Sequence, residues 1–297
     1  MHKNYVSIII PTFKDWGRLS FCLDSLSKQD YPSDKFEIIV INNYVGDKVP
    51  ENYAIPSNCM IYTEEKPGSY AARNLGVIKS KGDIIGFTDS DCIPDIDWIS
   101  NAVIAFEKEE RYHRIAGRIR LYYKSQKLTN AELYEKIYAF NQDVYVQQDG
   151  SGVTANMFTY REVFDKVGLF KEDLLSGGDY EWAVRARNAN HEIKYAEDVI
   201  VNHPARFHLN ELVKKAKRVG GGQAGFDKFS SLKPVKSFIR FIYDLRPPVN
   251  SIPLIISKGK DMALSQKLLV FYIRYYLSII TAREKLKVSL GKTAQRE

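Results

Sequence analysis

The stretch Val6-Ser7-Ile8-Ile9-Ile10, ended by Pro11, indicates the class of fold. A short run of β-branched residues bounded by a proline is typical of a buried strand. Further apolar runs follow at 36–41, 60–62 and 83–88, and apolar residues at helical spacing separate them at 15–30, 69–81 and 96–110. Strands that are apolar throughout and alternate with helices predict an α/β fold, with a parallel sheet covered by helices on both faces.

Sheets of this kind bind ligands beyond the carboxyl ends of their strands, so the residues directly after each strand are candidates for chemistry. Three segments occupy such positions: Pro11-Thr12-Phe13, Asn42-Asn43 and Asp89-Ser90-Asp91. We expect all three to face one crevice. Neither GxGxxG nor GxxxxGK(S/T) follows the first strand, which excludes the usual dinucleotide-binding and P-loop sites.

The composition further limits the class of protein, the number of domains and the compartment. The chain has 297 residues, of which 44% are apolar and 27% charged. This balance excludes wholesale disorder and allows one large domain with an appendage, or two modest domains. The three cysteines, Cys22, Cys59 and Cys92, share no short spacing, which excludes a disulfide framework or a thiolate zinc site and suits a reducing compartment. Since no apolar signal-peptide segment opens the sequence, we expect a cytoplasmic protein.

The net charge of +7 is unevenly distributed. Residues 1–203 carry 24 basic and 30 acidic side chains, whereas residues 204–297 carry 19 basic and 6 acidic ones. We expect an acidic catalytic body followed by a basic extension that meets phosphates, nucleic acid or anionic lipid. The alternative is an ordinary solvated basic surface.

The acidic turn after the fourth strand is the first candidate site. Asp89 and Asp91 repel each other, a cost that a cation or hydrogen-bond donors normally offset. Mg²⁺ and Mn²⁺ prefer such oxygen ligands and usually take one or two carboxylates together with substrate phosphates. The alternative is a structural turn, because Asp95 and Asp97 lie nearby and aspartate favours turns and helix starts.

Four segments, at 6–13, 36–43, 68–76 and 82–91, resemble those of glycosyltransferase family 2 in order and spacing. The resemblance extends over about residues 5–206. It implies the GT-A fold, with a mostly parallel sheet flanked by helices. It also implies a nucleotide-sugar donor, most simply a UDP-sugar, a divalent cation, Mn²⁺ or Mg²⁺, and transfer with inversion at the anomeric carbon.

The resemblance also assigns roles to residues. For the donor, it implies a nucleoside pocket at Pro11, Thr12 and Phe13, base reading at Asn42 and Asn43, a nucleotide contact at Arg73, a ribose contact at Asp89 and a sugar contact at Asn156. Asn42-Asn43 stand where the family commonly has two aspartates. For the metal, it implies Asp91 and, after a strand at 199–203, His203.

A second acidic segment opens a helix after Gly177 and Gly178. Helical spacing places Asp179 on the same face as Trp182, so we expect it to point inward. Glu181 lies about 200° away around the helix, where we expect a surface pair with Arg185. The segment resembles the family's glutamate-aspartate motif, with Gly178 in place of the glutamate. This implies that Asp179 is the general base, the alternative being a helix N-cap.

We expect two domains, a transferase domain at 1–206 and a helical basic extension at 207–297. The apolar run at 268–280 covers roughly 20 Å as a helix, less than the roughly 30 Å hydrocarbon core of a bilayer. With 238–243, it predicts a helix lying in the plane of an anionic membrane. The alternative is packing on the catalytic domain or in a homo-oligomer interface. No nucleic-acid-binding motif is present, so we expect no nucleic-acid partner.

The leading hypothesis is therefore an inverting, metal-dependent glycosyltransferase that extends a surface glycan. Its acceptor would be a glycan or a lipid-linked sugar at the inner face of the cell membrane. A sugar-phosphate nucleotidyltransferase is the second reading, although Pro11-Thr12-Phe13-Lys14 is not the glycine-rich basic loop that such enzymes carry. An inactive scaffold is the third, supported by Gly178 alone.

Overall fold

The computed structural model describes residues 5–226 and 233–293, so parts of the predicted extension, 227–232 and 294–297, lie outside the described residues. The strands are β1 Val6–Thr12, β2 Phe36–Asn42, β3 Cys59–Thr63, β4 Ile84–Thr88, β5 Ile93–Pro94, β6 Tyr112–Tyr122, β7 Asn156–Tyr160 and β8 Glu192–Pro204. The helices are α1 Trp16–Ser27, α2 Ser69–Lys79, α3 Trp98–Lys108, α4 Asn130–Tyr138, α5 Gln142–Asp149, α6 Arg161–Val167, α7 Gly178–Asn188, α8 Leu209–Phe226, α9 Lys233–Asp244, α10 Ile252–Lys258 and α11 Leu264–Ser289.

The strands form one sheet in the order β3-β2-β1-β4-β7-β6-β8-β5. The first four strands, β1 to β4, run parallel to one another, with Thr12 opposite Asn42 and Asn42 opposite Thr63. β7 pairs antiparallel with both β4 and β6, and β5 pairs antiparallel with β8. The α/β class is confirmed, and the parallel strands lie together in one half of a mixed sheet.

Burial explains why the parallel half forms. β2 is buried along its whole length and β1 along nearly all of it, as expected of strands covered on both faces. On one face, α1 contributes Leu19, Leu23 and Leu26, each 1% exposed or less. α2 packs very closely, because a Cβ on Gly76 would lie 2.4 Å from the Ile9 side chain.

Helix α2 begins at Ser69, where the predicted helical segment begins, and the capping position before it belongs to Gly68. Gly68 has φ +132°, in the region that favours glycine. Its N–H donates to Oδ1 of Asn43 over 2.6 Å, so a side chain from the end of β2 fixes the entry to α2.

The chain divides into two compact units. Within the described residues, unit 1 holds 5–120, 140–173 and 178–204, and unit 2 holds 121–139, 174–177, 205–226 and 233–293. The predicted boundary at 206 lies close to the start of the last segment of unit 2. The prediction missed that α4, far earlier in the sequence, also belongs to unit 2.

Unit 2 has its own apolar core. Val270, Ile273 and Leu277 of α11 are at most 6% exposed and cluster with Ile137 of α4 and Leu212 of α8. One side of the run at 268–280 therefore packs inside unit 2. Among the described residues, none of the helices combines the length and the hydropathy needed to cross a bilayer.

Candidate active site

The carboxyl ends of β1, β2 and β4 bring the predicted segments together at one edge of the sheet. The N–H of Asn43 donates to the carbonyl oxygen of Thr12 over 2.8 Å. Ser90 donates to Asp15, at the start of α1, over 3.1 Å. Thr12 is 2% exposed, whereas Phe13, the next residue, is 49% exposed. The floor of the crevice is thus buried, and Phe13 forms an exposed aromatic wall beside it.

A second aromatic side chain, which sequence reasoning missed, completes this wall. Tyr44 is 40% exposed and its ring meets that of Phe13 edge to face, with centroids 5.5 Å apart. Lys14 Nζ lies 4.0 Å from the Tyr44 centroid. The only sequence signal was an aromatic residue following Asn42-Asn43. Two accessible rings and a cation suit a planar base that carries phosphates.

The side chains of Asn42 and Asn43 hold the loops that follow β2 and β3 through hydrogen bonds. Nδ2 of Asn42 donates to the carbonyl oxygens of Tyr44 and Asp47 at 3.1 and 2.6 Å. Nδ2 of Asn43 donates to those of Glu64 and Lys66 at 2.9 and 2.8 Å. An amide nitrogen has two hydrogens, so neither side chain keeps an N–H for a base edge. Both side chains therefore hold the pocket walls, and base reading by Asn42 and Asn43 stays a prediction.

Arg73 links the two acidic segments. Its side chain is 6% exposed, and Nη2 lies 2.6 Å from Oδ1 of Asp89. Its charge also acts on Asp179, whose pKa it lowers against the larger opposing effect of burial. Arg73 is thus a buried cation whose charge acts on both acidic segments.

Asp91 and His203 form a cation-binding geometry. His203 is 4% exposed, and its Nδ1 lies 2.8 Å from the carbonyl oxygen of Pro204. Because a carbonyl only accepts, the neutral ring carries its proton on Nδ1 and a lone pair on Nε2. That Nε2 lies 3.6 Å from Oδ1 of Asp91. A carboxylate and an imidazole nitrogen arranged in this way fit Mn²⁺ or Mg²⁺.

Two neighbours of Asp91 were not predicted. Single ligand atoms of Asp91, Cys92 and His203 lie within 4.8 Å of one another. Burial raises the pKa of the Cys92 thiol well above its ordinary value, which disfavours the thiolate that binds metals. On the other side, Arg18 Nη1 lies 3.1 Å from Oδ2 of Asp91 and Nη2 lies 2.8 Å from Asp15. Asp91 thus has one oxygen toward a cationic side chain and one toward the imidazole.

Asp179 lies at the start of α7 in a different environment. Its Oδ1 accepts a hydrogen bond from the Tyr70 hydroxyl at 3.2 Å and one from the backbone N–H of Tyr180 at 3.0 Å. Burial raises the pKa of this carboxyl, while Arg73, the Tyr180 N–H and the Tyr70 hydroxyl oppose that rise. A carboxylate with a raised pKa is suited to accepting a proton.

The prediction for Glu181 was only half correct. Its pair with Arg185 is present at 3.0 Å, but the Glu181 side chain is 11% exposed. Lys171 also contacts it at 2.7 Å. The expected position on the outer surface is wrong, because the residues before α7 fold back over this side of the helix.

Asn156 is in the core, which overturns its predicted contact with the donor sugar. It is 0% exposed. Its Oδ1 accepts from Trp98 Nε1 at 2.9 Å, and its Nδ2 donates to the carbonyl oxygens of Arg118 and Val199. A Cβ on Gly117 would lie 2.4 Å from Nδ2, so Gly117 makes room for this side chain. Asn156 ties strands together and does not reach the crevice.

A cavity of about 630 Å³ lies at the other end of β4, lined by Asp83, Glu107, His113 and Arg161 among others. It includes none of the predicted site residues.

The comparisons with known proteins point to one family. A family model described as "Glycosyl transferase family 2" matches residues 7–168. Glycosyltransferase AglE of Haloferax volcanii is 34% identical over 224 residues, which cover 74% of this chain and 73% of that protein. A relative of Methanococcus voltae, named dolichyl N-acetyl-alpha-D-glucosaminyl phosphate 3-beta-D-2,3-diacetamido-2,3-dideoxy-beta-D-glucuronosyltransferase, is 21% identical over 308 residues, or 93% of this chain and 95% of that one.

A solved structure shares the fold. The mannosyltransferase PcManGT from Pyrobaculum calidifontis, in complex with GDP-Man and Mn²⁺, aligns with a TM-score of 0.53 and 17% identity. The alignment covers 98% of this chain and 76% of that one. At this identity, the likeness shows the GT-A fold alone.

Proposed function

This chain belongs to glycosyltransferase family 2 and is a glycosyltransferase, and we propose that it takes a sugar from a nucleotide-sugar donor and transfers it with inversion and with the help of a divalent cation. The observation that carries this proposal is the pairing of two acidic segments, at Asp89–Asp91 and at Asp179, through the buried cation Arg73. The Asp89–Asp91 segment is suited to the leaving diphosphate, and Asp179 is suited to the attacking hydroxyl.

The donor side follows from the crevice. We place the nucleobase against Phe13 and Tyr44, in the pocket that Pro11 and Thr12 line from below, with the ribose toward Asp89. Asp91 and His203 would hold Mn²⁺ or Mg²⁺, which would neutralise charge on the diphosphate when bound. We retain uridine as the expected base, although PcManGT was solved with GDP-Man.

The transfer step needs a base on the acceptor side. A sugar hydroxyl is a poor nucleophile, and Asp179 would accept its proton as the oxygen attacks the anomeric carbon. The bond between that carbon and the diphosphate oxygen breaks in the same displacement, and the nucleoside diphosphate leaves. A single displacement inverts the configuration.

The test is a panel of UDP- and GDP-sugars, measured for thermal stabilisation and donor turnover with Mn²⁺, with Mg²⁺ and with a chelator. A donor that binds the folded state raises the melting temperature by mass action. We expect stabilisation by one class of nucleotide sugar that requires the cation. Stabilisation without any turnover, with all acceptors tried, would favour the inactive scaffold instead.

We further propose that the acceptor is lipid-linked and that the enzyme works on the inner face of the cell membrane, in surface glycan synthesis. The relative of Methanococcus voltae, whose name specifies a dolichyl phosphate-linked sugar, supports this acceptor class. A lipid-linked acceptor stays in the bilayer, so the enzyme must approach a membrane surface.

Helix α9 of unit 2 supports that contact, because its apolar face is turned outward. Phe238, Ile239, Ile242 and Tyr243 are 52–63% exposed. Phe241 and Asp244 instead line a narrow cleft against α11. An ordinary surface helix buries its apolar side and exposes its polar one. Helix α9 instead exposes these four apolar side chains.

The side of α11 that lies away from the core of unit 2 also exposes apolar side chains. Leu264, Leu268, Tyr272 and Tyr276 follow at intervals of four residues and are 49–73% exposed. The charge of the surroundings indicates the partner, because residues 204–297 carry 19 basic and 6 acidic side chains. Each Lys or Arg close to an anionic surface contributes about 1 kcal/mol. We therefore assign these faces to an anionic bilayer interface.

Vesicle co-sedimentation tests this assignment. The double variant Phe238→Ser/Ile242→Ser should lose binding to anionic vesicles, while Phe21→Ser, a similarly exposed aromatic side chain on α1, should keep it. Binding should fall with salt, because the charge contribution is screened. Equal sedimentation with neutral and anionic lipid, together with a stable dimer that the double variant breaks, would assign the α9 face to self-association.

A further inference from the structure

Tyr70, in the first turn of α2, contacts two consecutive residues of α7. Its hydroxyl donates to Oδ1 of Asp179 over 3.2 Å. Its ring lies over Gly178, where a Cβ would come within 2.7 Å of the ring carbons. Tyr70 is 6% exposed. The space of a side chain at position 178 is therefore filled by the tyrosine ring.

We propose that Tyr70 is the positioning residue that holds the Asp179 carboxylate for transfer, and that Gly178 is glycine to admit its ring. This inference rests on the proposed role of Asp179 as base. It explains how an aspartate preceded by glycine keeps a fixed orientation.

The surroundings favour such a role. The ring of Tyr70 packs on that of Phe170, with centroids 5.7 Å apart, so its position is fixed by the core. Burial raises the pKa of the Tyr70 phenol, which therefore stays protonated and remains a donor. Both this hydroxyl and the N–H of Tyr180 bond to Oδ1 of Asp179. Oδ2 is then the oxygen that we expect to accept the proton of the acceptor.

The hydrogen bond also affects the titration of Asp179. Burial is the largest influence and raises its pKa, while Arg73 of α2 and the Tyr70 hydroxyl lower it. From α5, Tyr145 faces the same carboxylate. Removing the Tyr70 hydroxyl takes away a donor to the ionised form, so the pKa of Asp179 should rise further.

The variant Tyr70→Phe tests the proposal, because it keeps the ring over Gly178 and deletes only the hydroxyl. We expect kcat to fall about 10- to 100-fold, the effect of one hydrogen bond to a charged group, with KM for the donor unchanged. The acid limb of the pH–rate profile should move to higher pH. Tyr62→Phe, which removes a hydroxyl bonded to Met60 on β3, should change neither quantity.

Two further measurements keep the test decisive. Gly178→Ala should also lower kcat without weakening donor binding, because its Cβ displaces the ring. In an Asp179→Asn background, Tyr70→Phe should cause no further loss. An unchanged kcat and acid limb in Tyr70→Phe, or an equal loss in both backgrounds, would overturn the proposal. If the parent protein transfers no sugar, NMR titration of Asp179 in parent and Tyr70→Phe still decides, since an unshifted pKa would contradict the contact.

Discussion

Two aspartates of unit 1, Asp91 and Asp179, have opposite surroundings. Asp91 lies between the guanidinium of Arg18 at 3.1 Å and the imidazole of His203 at 3.6 Å. Asp179 accepts hydrogen bonds from a phenol and a backbone amide, and burial raises its pKa. Asp91 has an imidazole nitrogen beside it that suits a metal, whereas both hydrogen-bonded partners of Asp179 donate to it.

This difference supports the separate roles that we propose for the two carboxylates. A carboxylate next to an imidazole lone pair offers two ligands to a cation, which makes the Asp91 site suited to a metal. A buried carboxylate that is bonded only by neutral donors is costly to ionise, which makes Asp179 suited to taking a proton. The residue type is the same in both places, so the neighbours decide the chemistry. The predictions below test this division.

The largest expected effect is on transfer. Asp179→Asn keeps the size of the side chain but removes the base, so we expect the rate of transfer to fall about 10² to 10⁴-fold. Initial rates with a labelled donor would measure this loss. Since we place the donor on the Asp91 side, its affinity should stay within about twofold of the parent value. A loss of rate below tenfold would remove Asp179 from the role of base.

The pH dependence is the next largest effect. Burial raises the pKa of Asp179, so the carboxyl becomes protonated, and unable to accept a proton, at a pH above the ordinary aspartate range. We expect the rate to fall about tenfold per pH unit below that value. A pH–rate profile at saturating donor would show the limb, and the residual activity of Asp179→Asn should lack it. A limb that persists in the variant would belong to another group.

A core variant tests the corrected position of Asn156. Asn156→Ala leaves the Trp98 N–H and two carbonyl oxygens without their partner, and each unsatisfied buried group costs about 1–3 kcal/mol. The free energy of unfolding, measured in urea, should therefore drop by at least about 3 kcal/mol. Donor affinity measured on the folded fraction should not change. Unchanged stability with lost donor binding would return Asn156 to the donor site.

The smallest effect is expected at Glu181. Glu181→Gln weakens the ion pairs with Lys171 and Arg185, whose side chains are 63% and 28% exposed. Pairs with such accessible partners contribute at most about 1 kcal/mol. We expect a slightly lower melting temperature and a transfer rate within about threefold of the parent. If this variant proved more damaging to transfer than Asp179→Asn, the roles of the two acids would have to be exchanged.

Much of this arrangement could be predicted from the sequence. The parallel strands follow from their apolar runs, and the crevice follows because parallel strands end at one edge. The segment with Asp89 and Asp91 is therefore predictable as a neighbour of the segments that follow β1 and β2. His203 is less so, since it reaches Asp91 through the antiparallel half of the sheet, whose pairing has no local signal.

The errors share a physical cause, because each depends on contacts between distant segments. Asn156 is polar and follows a loop, yet it is fully buried because Trp98 and two strands satisfy its amide. Helical periodicity placed Glu181 outward, but Lys171 covers it from outside the helix. α4 joins the C-terminal helices through tertiary packing alone.

The most direct test of the account is the cation dependence of donor binding in two matched variants, Asp91→Asn and Asp179→Asn. Calorimetric titration of the stabilising nucleotide sugar, with and without Mn²⁺, separates the two roles. We predict that Asp91→Asn loses the part of donor affinity that depends on Mn²⁺, while Asp179→Asn retains it. The same Mn²⁺-dependent affinity in Asp91→Asn as in the parent, or its loss in Asp179→Asn, would contradict the division of roles between the two aspartates.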